Sequence, residues 1–189
     1  MLRTISLMVL LLGVAGPALA HPGHDASGFL HPFTGYDHLL AMIGAGMWAA
    51  LLAVRRPAAA FFVPAAFMAM MAVGAAAGFA GIKLPLAEAG VLASVFMLGG
   101  LVMAAVRVPV ASAMVVVGMF AALHGYAHAV DAPVIDPGRY ILGFLAATAL
   151  LHAAGLGLGW VAQRLVGDLG LRAMGALLLA GGTLVLVGH

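Results

Sequence analysis

Six apolar runs, at roughly 37–54, 58–81, 88–106, 110–130, 139–161 and 170–188, follow one another with only short charged or proline-bearing breaks between them. Each is long enough to cross about 30 Å of hydrocarbon at about 1.5 Å per residue. In lipid an unpaired backbone finds no water to bond, so each run must be helical. The fold expected is therefore all-α, a polytopic membrane bundle of six transmembrane helices filling residues 37–189. Composition excludes a soluble domain: 65% of residues are hydrophobic and 7% charged, where a water-facing surface needs about 25% charged. The bilayer is the first partner. The few basic residues are scattered, without the stripe that phosphate binding requires, so nucleic acid is excluded. With no Cys, thiolate metal sites, disulfides and Cys nucleophiles are excluded too.

The first 20 residues read as a signal peptide: Arg3, an apolar stretch from Ile5 to Gly16, and Ala18-Leu19-Ala20 as the cleavage site. Residues 21–36 then form a histidine-containing segment on the outer face. Counting spans from an external N-terminus puts Arg55, Arg56, Arg107, Arg164 and Arg172 inside, with only Lys83 and Arg139 outside. That bias satisfies the positive-inside rule. It places both termini of the mature chain on the periplasmic side of a bacterial inner membrane. Gly74–Gly78 and Gly155–Gly159 form G-x-x-x-G patterns that let helices approach closely.

On this topology nearly every metal-ligating side chain lies in the outer half. His31, Asp37 and His38 precede or open the first helix, Glu88 opens the third, His124, His128 and Asp131 lie at the outer end of the fourth, and His152 sits within the fifth. His124 and His128 are four apart and Asp131 three further on, a spacing that projects them from one helix face. Ionisable groups at membrane depth usually face the bundle interior along an ion path. Imidazoles and carboxylates without thiolate suit a borderline divalent ion such as Ni²⁺, Co²⁺, Cu²⁺ or Zn²⁺, and suit Mg²⁺ or Ca²⁺ poorly. Plainer roles compete. Thr34-x-x-Asp37 matches a helix capping box, Glu88 can serve a helix dipole, a single helical His can be a packing residue, and the 12 Met read as packing residues.

The run His31-Pro32-Phe33-Thr34-Gly35-Tyr36-Asp37-His38-Leu39-Leu40-Ala41-Met42, continuing to Trp48-Ala49-Ala50, closely resembles the signature of the HupE/UreJ family of nickel permeases. His124-Gly125-Tyr126-Ala127-His128 resembles that family's second motif, and Leu151-His152-Ala153-Ala154-Gly155 its fifth-helix segment. The resemblance implies secondary uptake of nickel, or of cobalt, for delivery to a cytoplasmic acceptor in hydrogenase, urease or cobalamin synthesis. It carries metal binding onto His31, Asp37, His38, His124 and His128. The chain departs from the family's H-A-H-G-x-E pattern at Tyr126, Ala129 and Asp131, where Asp131 offers the same oxygen on a shorter arm.

The function expected is thus a non-enzymatic metal transporter with no resident cofactor, its cargo Ni²⁺ or Co²⁺. Neither H-E-x-x-H, G-x-S-x-G nor a Walker A motif is present. Two alternatives stand beside it: a non-transporting metal-binding accessory protein, and a membrane haem protein with two axial histidines. Gly35-Tyr36-Asp37-His38 and Gly125-Tyr126-Ala127-His128 share G-Y-x-H. Three helices separate them, so in a threefold-plus-threefold repeat their equivalents lie on opposite membrane faces, and the match is not a duplication.

Overall fold

A computed structural model of the chain describes residues 28–132 and 136–188. The proposed signal peptide and His21, His24 and His189 lie outside them. Seven helices and no strand occur among the described residues: α1 (His31–Thr34), α2 (Tyr36–Ala53), α3 (Ala59–Phe79), α4 (Ala87–Met103), α5 (Val110–Val130), α6 (Pro137–Val166) and α7 (Asp168–Gly188). Five of them are long and apolar enough to cross a membrane, and α4, at 17 residues, is the shorter apolar helix among them. Short connections make sequential neighbours antiparallel.

The differences from the expected runs have local causes. The third run stops early because Ala105 turns into the left-handed region (φ 53) and the indole N–H of Trp48 takes the Val106 carbonyl at 2.9 Å. The fifth extends to 30 residues: Asp136 accepts the Arg139 N–H at 3.1 Å, and Pro137 begins the helix, a position where its missing N–H costs nothing. α1 was not expected. It folds the end of the outer segment back onto α2 and α6, with Pro32 buried. Gly28 (φ 69) lies against the Tyr140 carbonyl, where any Cβ would collide.

The bundle is built around α2, of which 67% of the membrane-length window is buried, against 33% for α5, α6 and α7. The outer helices turn large apolar side chains such as Phe61, Met119, Leu142 and Leu184 outward, the surface of a bundle bathed in lipid rather than water. Three helix pairs pack most extensively: α2 with α6, α3 with α5, and α4 with α7.

Glycines set these contacts, and the contacts recur. Gly46 on α2 abuts the His152 carbonyl of α6, as Gly125 on α5 abuts the Met71 carbonyl of α3. Gly155 abuts the Ile43 carbonyl, as Gly74 abuts that of Ala122. Gly159 sits against Ala50, where a Cβ would come within 2.6 Å, as Gly78 sits against Ala129, at 2.7 Å. The third pair reflects onto itself: Gly99 meets Gly175 and Leu179, while Gly175 meets Gly99 and Met103. The packing of α2–α4 is therefore repeated by α5–α7 with the direction of every helix reversed, the arrangement of an inverted repeat. Gly125 corresponds to Gly46 and not to Gly35, so the shared G-Y-x-H pattern plays no part in it.

At the end opposite α1, Arg107 donates to Asp168 at 2.6 Å and Gln163 donates to the same carboxylate oxygen at 3.0 Å. Together with the Trp48–Val106 bond, this ties the α4–α5 connection to α2 and to the α6–α7 turn.

Candidate metal centre

His38, His124, His128 and His152 are buried at 8%, 0%, 0% and 1% exposure in an interior whose other buried polar side chains, among the described residues, are Ser94 and Thr148. Each comes from a helix whose spacing aims it inward. His124 and His128 stack one turn apart on α5, on the face packed towards α2 and α3. His38 lies in the first turn of α2, and α1 brings in His31. Ligand nitrogens of His31, His38 and His128 lie within 4.8 Å of one another. The His38 ring is 4.6 Å from that of His128 and 4.8 Å from that of His124, both edge-on. His31 is 4.7 Å from His128.

Hydrogen bonding decides which nitrogen of each ring is left to coordinate; the tautomers are assigned from the partners. His38 Nδ1 lies 2.7 Å from Asp37 Oδ1, an acceptor, so Nδ1 carries the proton. Its Nε2 is buried without a partner, and therefore presents a lone pair. Ser94 donates its own proton to the Val91 carbonyl at 2.6 Å, so its oxygen accepts from His124 Nε2 at 2.9 Å. The unpartnered Nδ1 of His124 then holds the lone pair. Neither nitrogen of His128 has a partner, and Phe144 stacks on the ring at 4.8 Å and 7°, fixing its plane. A buried lone pair without a donor is costly. Several of them converging make a site that one cation with empty coordination positions would satisfy together.

Asp37 also accepts the backbone N–H of His38 at 2.7 Å. Its carboxylate thus serves both the His38 ring and an orphan N–H of the first turn, but not in the Thr34-x-x-Asp37 box expected: Gly35 is the N-cap of α2 and no side chain caps it, while Thr34 bonds the His31 carbonyl. The capping-box reading is thereby replaced. A carboxylate behind a ligating imidazole fixes the ring and raises its basicity. Gly35 is needed close by, since a Cβ there would lie 3.1 Å from His38 Nδ1 and 3.2 Å from Asp37 Oδ1.

Not all the expected residues meet. Asp131, the C-cap of α5, keeps helical dihedrals and an N–H bond to the Ala127 carbonyl at 3.2 Å, yet is exposed. With Glu88, also exposed, it lines a separate outer pocket beside Leu84, Tyr126 and Val130. His152 stands deeper, its Nδ1 bonded to the Thr148 carbonyl at 2.8 Å. The Phe67 ring lies between the two levels, 5.7 Å from His124 and 4.8 Å from His152. Sequence reasoning missed Ser94, whose signal was its isolation as the one hydroxyl in the third apolar run, and it gave no role to Phe67, Phe144 or Thr148.

The family described as HupE / UreJ protein matches residues 9–185. Protein HupE of Rhizobium leguminosarum bv. viciae is 39% identical over 185 residues, covering 94% of this chain and 95% of its own. No solved structure matches. With the match running through both histidine motifs and every helix, the chain belongs to the HupE/UreJ family.

Proposed function

We propose that the protein is a secondary transporter that takes up a divalent transition-metal ion, Ni²⁺ first and Co²⁺ second, through the His31–His38–His124–His128 cluster. One observation carries the reading: the half-buried imidazole of His31 on α1 and the buried ones of His38 on α2 and His128 on α5 meet at ligand distance in a bundle with few other buried polar groups. Neutral nitrogen ligands with nearby carboxylates and no thiolate favour borderline divalent ions. In this reading α4 crosses the membrane with the other five long helices, residues 1–20 are a cleaved signal peptide, and both mature termini face the periplasm of the inner membrane. Glu88 and Asp131, at their outer pocket, draw the hydrated cation towards the surface. The ion sheds water onto the histidine cluster and moves on to His152. The chain contains no Walker A motif, so the drive is the membrane potential together with trapping by a cytoplasmic acceptor. Two charges moving inward gain roughly 4.6 kcal/mol per 100 mV. Rings packed edge-on at 4.6–4.8 Å suit one small cation and leave no slot for a porphyrin between them, which sets this reading above the haem alternative.

The test is uptake of ⁶³Ni²⁺ by cells expressing the wild type, His38→Ala or His128→Ala, with Co²⁺ and Zn²⁺ as competitors. Either substitution is expected to lower uptake at least tenfold while the protein still reaches the membrane. Unchanged uptake by both variants refutes the transporter reading, and uptake by the wild type no faster than by empty cells favours the accessory-protein alternative.

A further inference from the structure

Beside the histidine cluster the interior changes chemistry. Three helices each present a pair of side chains four residues apart: His38 and Met42 on α2, Phe67 and Met71 on α3, and Thr148 and His152 on α6. The members of such a pair lie about 6 Å apart along the helix axis; because α3 runs opposite to α2 and α6, its second member, Met71, lies at the level of Gly125, beside His124. Met42 and Met71 are fully buried, as is Thr148. The Thr148 hydroxyl lies 3.4 Å from the Met42 sulfur and 3.6 Å from the Met71 sulfur. One hydroxyl proton thus faces two thioethers from two different helices and can serve only one of them at a time.

His152 lies one turn further along α6 from Thr148. Its Nδ1 gives its proton to the Thr148 carbonyl, so the lone pair is on Nε2, which is buried and has no partner. The ring is drawn back along α6 towards Thr148, the residue that touches both sulfurs. A thioether sulfur is a weak hydrogen-bond acceptor and a good soft ligand. Two thioethers, a neutral imidazole nitrogen and a hydroxyl, all shut away from water, therefore match a transition-metal ion better than they match each other.

We propose that Met42, Met71, Thr148 and His152 form a second, sulfur-containing metal site next to the histidine cluster. It deepens the transporter reading, and rests on it for its place in the path, by supplying the donors that receive the ion after the imidazoles. Its softer ligands select borderline and soft ions, Ni²⁺, Co²⁺ and Cu⁺, and discriminate against Mg²⁺, Ca²⁺ and Mn²⁺, which the outer carboxylates attract without distinction.

The experiment is X-ray absorption on the full chain purified in detergent and equilibrated with Ni²⁺, with bound metal counted by equilibrium dialysis. The wild type is expected to bind two equivalents and to show sulfur among the scatterers. The double variant Met42→Leu/Met71→Leu conserves volume; it is expected to bind one equivalent in a shell of nitrogen and oxygen only. His38→Ala/His128→Ala is expected to lose the other equivalent and keep the sulfur. Absence of sulfur from both the wild type and the histidine variant overturns the proposal whatever becomes of the methionine variant, as does sulfur that persists without Met42 and Met71. A sulfur-containing shell in a protein that moves no ⁶³Ni²⁺ upholds the site and refutes transport. Uptake that depends on His38, with no sulfur in any shell, does the reverse.

Discussion

At His38 the neighbouring carboxylate determines which nitrogen keeps a lone pair, and at His124 a serine does the same. Asp37→Ala should therefore weaken metal binding about 10- to 100-fold without removing any ligand, as measured by calorimetric titration of the purified protein with Ni²⁺. Ser94→Ala should act in the same direction and less strongly, because His124 keeps its place on α5 and loses only the acceptor for Nε2–H. Protons and metal compete for the same imidazole lone pairs. Metal affinity should accordingly weaken, and never strengthen, as the solution is made more acid; affinity that rises on acidification in the same titration would contradict imidazole ligation. The histidines were legible because a titratable group in an apolar helix is rare. Their tautomers were not, since Ser94 is far from His124 along the chain and only the packing of α4 against α5 joins them. Asp131 shows the reverse: spacing projects it onto the histidine face, but at the C-cap of α5 it stands exposed, which only the packing of the bundle could tell.

Among the helices, the glycine contacts are where substitution should be felt most. A methyl at Gly46, Gly74, Gly125 or Gly155 would run into a backbone carbonyl of the partner helix, and a backbone cannot step aside as a flexible side chain can. Each Gly→Ala change there should cost about 1–3 kcal/mol. Gly157→Ala, on the same helix as Gly155 but with nothing within 4 Å, should be neutral or slightly stabilising. Thermal unfolding in detergent compares the five directly. The G-x-x-x-G patterns announced close approach from the sequence, yet not which helices would meet. Gly46 and Gly125, which make half of the contacts, carry no such pattern. The number and order of the long helices were readable from hydropathy because each apolar run ends at charge or proline. The short α1 was not, since four residues are too few to show a period, and its place is fixed by packing onto α2 and α6.

For the molecule as a whole, orientation is open to a clean test because the chain has no cysteine. Single cysteines in place of the exposed Leu30 and Lys83 should react with a membrane-impermeant maleimide added outside intact cells. Cysteines replacing Arg55 or Arg164 should react only after the cells are opened. Labelling in the reverse pattern would invert the path assigned to the ion. The two large helix pairs divide the chemistry between them. Met42, Thr148, His38 and His152 ride on α2 and α6, whereas Phe67, Met71, His124 and His128 ride on α3 and α5. Every cation donor thus faces its counterparts across the boundary between two tightly interlocked bodies, where a small relative tilt alters coordination without unpacking either one.

The mirrored glycine contacts make the scaffold nearly indifferent to which way up it stands, but its imidazoles are not mirrored. Under the correspondence of Gly46 with Gly125, His124 and His128 fall opposite Ala45 and Ala49, and His38 falls opposite Val117. An ion arriving from one side meets a ready coordination shell, and from the other a wall of methyl groups. For the transporter proposed above, a frame that works equally well in both directions has been given a single mouth, and the sense of traffic would be written into the side chains and not into the architecture.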